Sequence, residues 1–417
     1  MPDNGKAMMN LSEKWQTVLL IALAESLVLG LWFSASAVAP ALAAEWSLTE
    51  AQAAWLTMSV QIGFVAGAFL SALLTLADIF PPRLVFAVGA FLGAMSTMAI
   101  ATFASGPGMV IGVRFLTGFA LAGVYPVGMK IMATWMKQDR GLGLGLLVGA
   151  LTIGSAFPHL LRALGGSGDW RRVLYMATVL ALLGGMLGLW RGRLGPHRSA
   201  PAVFRVGYIG QVLRERGLRL ANFGYLGHMW ELYAMWTWIP LFLLESYRLA
   251  SSGTVFGMTV ETAAALAAFT VIASGGPGSV LAGQLADRWG RTRTTILCLA
   301  ISGGCAFVIG FLFGGNIVLV TLVALIWGFT IVADSAQFSA AVSELAESDY
   351  MGTALTLQTS LGFLLTLVSI RVIPLLVTTV GWQWAFTILV LGPVFGIWAM
   401  RALGQSAAVA KLAGGRG

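Results

Sequence analysis

Twelve times along this chain of 417 residues, a mostly apolar run continues for close to twenty positions with few or no charges. A helix needs about 20 such residues to cross the hydrocarbon core of a bilayer. The expected spans are approximately Trp15–Leu42, Ala51–Leu76, Leu84–Phe103, Met109–Met136, Gly141–Leu164 and Val173–Trp190, then Leu218–Leu244, Glu261–Leu285, Thr294–Phe313, Ile317–Val342, Gly352–Val380 and Trp384–Ala402. Only 10% of the residues are charged and 58% are hydrophobic, against roughly 25% charged in soluble domains. The first apolar run continues past the length of a signal-peptide core, so no cleavable signal is expected. Cys298 and Cys305 are seven residues apart in one apolar run, which suits inert packing better than a disulfide.

The net charge of +8 could suggest a nucleic-acid partner, but the basic residues cluster in short connections between spans, which is a topology signal. With an even number of spans, both termini fall on one side. The connections and tails of that side carry eighteen Lys and Arg, among them Arg83, Lys137, Arg198, Arg205 and Arg288; the opposite side carries four, Arg162, Arg171, Arg172 and Arg248. That asymmetry predicts cytoplasmic termini, with the chain in a bacterial-type inner membrane.

The chain is also duplicated. Glu25 and Glu231 are 206 residues apart, and each is followed seven positions later by a tryptophan, Trp32 or Trp238. Leu-Ala-Asp ends the second span at Asp78 and the eighth at Asp287, 209 apart; Trp170 and Trp382 are 212 apart. Two halves of six spans are a known transporter plan with a central site between them. The expected division is a first bundle over 1–190, a connection over 191–217 and a second bundle over 218–417. The connection is basic, contains Pro196 and Pro201, and has room for a short interfacial helix within Val203–Leu213.

After the eighth span the sequence reads Gly283-Gln-Leu-Ala-Asp287-Arg288-Trp-Gly290-Arg291-Thr-Arg293. It resembles the signature cytoplasmic loop of the major facilitator superfamily, in the place where that family has it. Physically, the aspartate can cap a neighbouring helix N-terminus and the arginines can pair with acids of the other half, a charged latch for one closed state. The first-half copy, around Asp78, keeps the aspartate but loses the glycine and most of the arginines. Arg114-Phe-Leu-Thr-Gly118 in the fourth span resembles the family's R-x-x-x-G motif, whose arginine is implicated in proton coupling. The resemblance implies an all-α membrane fold of twelve helices in two pseudo-symmetric bundles, alternating access, and a small-molecule substrate. The family's nitrate carriers use arginines in the second and eighth spans, and neither span here contains one.

Glu25 and Glu231 lie about 15–20 Å into their spans at 1.5 Å per residue. An unpaired carboxylate at that depth binds a proton readily, as a proton-coupled carrier requires; the alternative is a hydrogen-bonded packing acid. Asp334 is a third intramembrane acid, with Ser335, Gln337 and Ser339 near it as contacts or interhelical glue. Arg114 is a candidate counter-ion for one of these acids, and His228, one turn before Glu231, could share its proton. Lys130 either binds an anion in the cavity or extends to the interface. The stretch Gly224–Pro240 carries Trp230, Tyr233, Trp236 and Trp238 around Glu231. With Trp32, Tyr125, Gln337 and Gln358, these are the candidate substrate contacts, or else lipid-facing aromatics.

There is no phosphate loop, metal-ligand cluster or nucleophile elbow, so no enzyme, cofactor, metal or ATP drive is expected. The expected function is a proton-coupled secondary transporter that needs only protons, a small solute and the bilayer, and that can work as a monomer. An organic anion moved by symport is favoured on the strength of Arg114 and Lys130. The alternatives are proton-driven export of an amphipathic or cationic solute and, more remotely, a receptor or scaffold that moves nothing.

Overall fold

Apolar runs of this length fold into helices, and a computed structural model of the chain describes them at residues 4–136, 140–165, 169–197, 206–251, 253–347 and 349–417. The spanning segments are α1 (Asn4–Leu29), α2 (Glu50–Leu73), α3 (Pro82–Phe103), α4 (Pro107–Trp135), α5 (Arg140–Gly165) and α6 (Trp170–Arg191) in the first half. In the second they are α7 (Arg216–Ala250), α8 (Val260–Trp289), α9 (Arg291–Leu312), α10 (Ile317–Leu345), α11 (Met351–Val380) and α12 (Trp382–Gly404). Ten of these are long and apolar enough to cross a membrane by length and composition alone. The other two are α1 and α7, the helices that carry Glu25 and Glu231. Lys137, Arg198, Arg205, Pro201 and the start of the Val203–Leu213 stretch lie outside the described residues. Within that stretch a short helix is seen at Ile209–Arg214.

Many large apolar side chains point outward, such as Phe91 at 53%, Trp398 at 55% and Val394 at 59% exposure. In water such a surface would drive association; facing hydrocarbon, it is solvated.

The packing repeats between the halves. In the first, α2 packs on α4, α3 on α6, and α1 on α5 and α6; in the second, α8 packs on α10, α9 on α12, and α7 on α11 and α12. The halves meet along two seams, α5 against α8 and α2 against α11. Small residues permit the first seam: a Cβ at Gly145 would stand 2.7 Å from Ser279 O, and one at Gly283 would stand 2.6 Å from Gly141 O. On the second seam, Thr366 donates to Gln61 Oε1 at 2.5 Å.

Three spanning segments are broken. α4 opens at Ala122–Val124, just before Pro126, and α8 at Ser274, ahead of Pro277; both breaks precede a residue that lacks an N–H. The third break, at Asp334 in α10, has no proline. The expected first span, Trp15–Leu42, is also interrupted: α1 stops at Leu29, and short helices follow at Ser34–Ala37 and Ala39–Trp46.

One contact is duplicated almost residue for residue. A Cβ at Gly118 in α4 would lie 1.9 Å from Val60 O in α2, and one at Gly328 in α10 would lie 1.9 Å from Val271 O in α8. The obstruction is backbone in both cases, so no rotamer change relieves it. Gly118→Ala and Gly328→Ala should each lower stability by about 1–3 kcal/mol. Gly112→Ala, with nothing within 4 Å of its Cβ, should leave the thermal unfolding midpoint of the detergent-solubilised protein unchanged.

Candidate functional site

Between the halves lies a cavity of about 40 Å³, lined by Tyr125, Tyr225, Met229, Tyr233, Trp236 and Phe363 among others. That volume holds only a few water molecules. The far end, away from the termini, is shut by an aromatic cluster that crosses the halves. Trp32 stands 5.9 Å from Tyr233 and 5.4 Å from Phe363 between ring centres, and Phe33 meets Trp236 edge-on at 5.8 Å. Toward the termini the halves approach each other along the α5–α8 seam.

The cavity face of α7 carries Tyr225, Met229, Leu232, Tyr233 and Trp236. Glu231 lies on the other side of the helix, because two residues beyond Met229 is a rotation of about 200°. Its Oε1 accepts from Trp327 Nε1 at 2.6 Å and its Oε2 from Ser302 Oγ at 3.0 Å, from α10 and α9 respectively. Glu25 is likewise fully buried, against Gly128 of α4, where a Cβ would meet its Oε2 at 2.7 Å. Neither Glu25 oxygen has a hydrogen-bond partner. Each acid is thus enclosed within its own half, and neither faces a cavity shared by the two. Trp32 remains beside the cavity through its contact with Tyr233.

His228 Nδ1 lies 2.8 Å from Asp334 Oδ1, and both side chains are buried. The distance is that of an ion pair, but the ring N–H is not aimed for a hydrogen bond. Asp334 sits at the break of α10 and is followed by Ser335, which lines the cavity.

Arg114 is buried, and its donors go to the broken end of α1 rather than to an acid. Nη1 donates to Leu31 O at 2.7 Å, Nε to Leu56 O at 3.1 Å, and Nη2 to Trp32 O, with Ser34 Oγ 3.4 Å from Nη1. The carbonyls freed where α1 stops take the place of a carboxylate partner. Lys130 does not face the cavity either. Its ammonium donates to Ala77 O at 2.7 Å and pairs with Asp78. The aromatics of α7 divide in the same way. Tyr233 and Trp236 line the cavity, while Trp230 and Trp238 donate at 3.0 Å to backbone carbonyls of Ile388 and Ile370. Gln358 lies near the cavity through Ser339, at 3.5 Å, and its Nε2 lacks an acceptor.

At the loop after α8, Asp287 lies over the first turn of α5: its two carboxylate oxygens are 2.6 Å from where a Cβ at Gly141 would stand. An anion is favoured there by the helix dipole. This is the cross-half contact anticipated for the loop. Arg291, however, pairs within its own half, with Asp287 at 3.0 Å and Glu344 of α10 at 2.8 Å, and it donates to Gln337 Oε1 at 2.7 Å. Gln337 is thereby drawn to the loop rather than to the chamber. Arg288 and Arg293 are exposed, and Gly290 makes the α8–α9 turn at φ 98°, a left-handed conformation open mainly to glycine.

Tyr225, Met229, Phe33 and Phe363 were missed from the sequence as chamber or gate residues, and Ser302 and Trp327 as partners of Glu231. Tyr225 had a signal, since it falls one turn before Met229 and two before Leu232 and Tyr233. Ser302 and Trp327 are 71 and 96 residues from Glu231 and sit in unremarkable apolar runs.

Two substitutions probe this geometry. Arg114→Lys keeps the charge but reaches fewer of the carbonyls; it should cost about 1–3 kcal/mol in stability, read as a lower unfolding midpoint. Gly128→Ala crowds only the end of a flexible side chain, so the protein should fold with a near-normal midpoint. The infrared carboxyl band that Glu25→Gln removes should shift.

Comparison with known proteins agrees with this architecture. The Major Facilitator Superfamily family model matches residues 21–370. The uncharacterized transporter YgaY of Escherichia coli O157:H7 is 28% identical over 227 residues, 50% of this chain and 55% of that protein. The putative uncharacterized transporter YgaY of Escherichia coli strain K12 matches over the same shares. The chain thus spans about half the length of the curated relatives it matches. A crystal structure of a mutant nucleoside transporter, NupG, superimposes with a TM-score of 0.68 at 18% identity, covering 93% of this chain and 99% of that one. At that identity the likeness is one of fold. With the family model running from α1 into α11 and the duplicated helix packing beneath it, the chain belongs to the major facilitator superfamily, a family of transporters.

Proposed function

We propose that this protein is a proton-coupled secondary transporter that moves a small organic solute by alternating access. The observation that carries the reading is a pair of carboxylates, Glu25 and Glu231, buried at matching places of two duplicated halves with, among the described residues, no cation paired to either. An acid held so deep responds to a proton with a full change of charge in a low-dielectric site, which gives a driving force for rearrangement. The units that rock are taken as residues 1–190 and 218–417, joined by 191–217. The charge asymmetry of the connections supports cytoplasmic termini in a bacterial-type inner membrane, and nothing in the mechanism requires more than one copy.

The bonding of the cations bears on the solute. Arg114 and Lys130 favoured an organic anion, but both are engaged by protein oxygens. The chamber wall of Tyr125, Tyr225, Tyr233, Trp236 and Phe363 suits an amphipathic or uncharged aromatic solute better. Amphipathic export by proton antiport therefore becomes the favoured direction over anion symport.

The test uses purified protein in vesicles with an internal pH indicator and a panel of organic anions, cations and uncharged aromatics. Wild type should link movement of at least one class to proton flow, with the sign of the pH change giving the direction. Glu25→Gln and Glu231→Gln should each weaken that link on the order of tenfold or more. Solute movement indifferent to an imposed pH gradient, in wild type and both variants alike, would end the proton-coupled reading.

A further inference from the structure

The two acids are equivalent by position and different by surroundings. Glu231 receives hydrogen bonds from Trp327 Nε1 at 2.6 Å and Ser302 Oγ at 3.0 Å; Glu25 receives none. The difference is built into the two copies. At the positions of the first half that correspond to Ser302 and Trp327 stand Gly93 and Thr117. Gly93 has no donor, and the Thr117 hydroxyl is spent on Val113 O at 3.2 Å in its own helix.

An indole N–H can only donate. A donor aimed at a carboxylate favours its ionised form, and a carboxyl buried with no donor is held in its neutral form. Resting on the proton-coupled reading above, we propose that Trp327 and Ser302 are positioning residues that make Glu231 the first of the two acids to release its proton and Glu25 the last. A carrier with its two proton sites staggered in this way empties in a set order: the half that carries the donors gives up its proton while the other stays loaded.

The other groups around each acid are few. Facing Glu231 are Asp334 of α10 and Cys305 of α9, with His228 one turn earlier on α7 and paired in distance with Asp334. Arg248, Glu245 and Glu261, at the far ends of α7 and α8, are engaged with one another. Beside Glu25 the titratable neighbour is Tyr125 of α4. On α5, His159 and Arg162 lie further toward the far end, where Arg162 donates to Ala37 O. Among the described neighbours, an ionised Asp334 would work against the proposal; unlike Trp327 and Ser302, it makes no hydrogen bond to Glu231.

No solute is needed for the test. The full chain in lipid nanodiscs is titrated while the infrared C=O band of protonated carboxyls is followed, and Glu25→Gln and Glu231→Gln assign each band by its loss. In wild type the Glu231 band should disappear at lower pH than the Glu25 band. Losing a donor to an ionised group is worth about one pH unit or more. Trp327→Phe and Ser302→Ala should therefore each move the Glu231 midpoint to higher pH by about that amount and leave Glu25 unmoved. Ser302→Thr, which keeps the hydroxyl, should restore the wild-type midpoint. If Glu231 titrates but neither Trp327→Phe nor Ser302→Ala moves it, or if Glu25 empties first, the inference fails and the proton-coupled reading stands. If neither acid exchanges its proton between about pH 5 and 9, both fall together.

Discussion

Inside a bilayer a helix cannot stop without leaving carbonyls that water would otherwise satisfy, and at the end of α1 one buried guanidinium does that work. Arg114 donates to Leu31 O, Trp32 O and, from α2, Leu56 O. A cation taken out of water loses several kcal/mol of hydration unless its donors are met, and carbonyls at a helix terminus meet them with the negative end of the helix dipole. Each side of the contact would be costly alone. Together they allow α1 to break, and the break frees Trp32 and Phe33 from helical geometry to reach Tyr233, Trp236 and Phe363 of the second half. The closure of the far end therefore rests on a hydrogen-bond arrangement within the first half.

The duplication shows which features the architecture needs and which each half was free to change. Close approach of α2 to α4 and of α8 to α10 through Gly118 and Gly328 is kept in both. The charged clusters near the termini differ. In the second half Asp287, Arg291 and Glu344 form a chain. In the first, Pro82 stands where Arg291 would be and Lys130 of α4 pairs with Asp78 directly. The first half thus keeps an ion pair between the segment just past its second helix and its fourth helix, without an arginine at the start of the third.

How much of this could be read from the sequence follows from the range of the interactions. Span number, the duplication and the loop at Gly283–Arg293 were legible, because each depends on local composition or on comparing the chain with itself. The acids at Glu25 and Glu231 were legible for the same reason. Their orientation was not: a helical position marks depth in the bilayer, but which way a side chain points depends on how the helix is rotated against neighbours tens of residues away. Arg114 was read as a counter-ion because sequence offers only side-chain acids as partners, whereas its real partners are carbonyls exposed by a helix break that no proline announces. For Lys130, sequence left two readings open, an anion site or reach to the interface, because its pairing with Asp78 depends on where two helix ends meet.

The two regions where the halves meet also differ in kind, and this bears on how a carrier of this shape would move. The far end is held by ring contacts between Trp32, Phe33, Tyr233, Trp236 and Phe363; such contacts are insensitive to salt and weaken only by separation. At the end near the termini, the α5–α8 seam combines backbone-close glycine packing with the charge of Asp287 over the first turn of α5. The charge is half-exposed and open to screening. A chamber of about 40 Å³ is smaller than an organic solute, so one could enter only if the halves move apart. Each acid is enclosed within its own half, Glu25 against α4 and Glu231 against α9 and α10. Under the proposed proton coupling, a change of protonation would act through how the helices pack inside a half. For Glu231 those helices are α9 and α10, through Ser302 and Trp327, and for Glu25 they are α1 and α4, at Gly128.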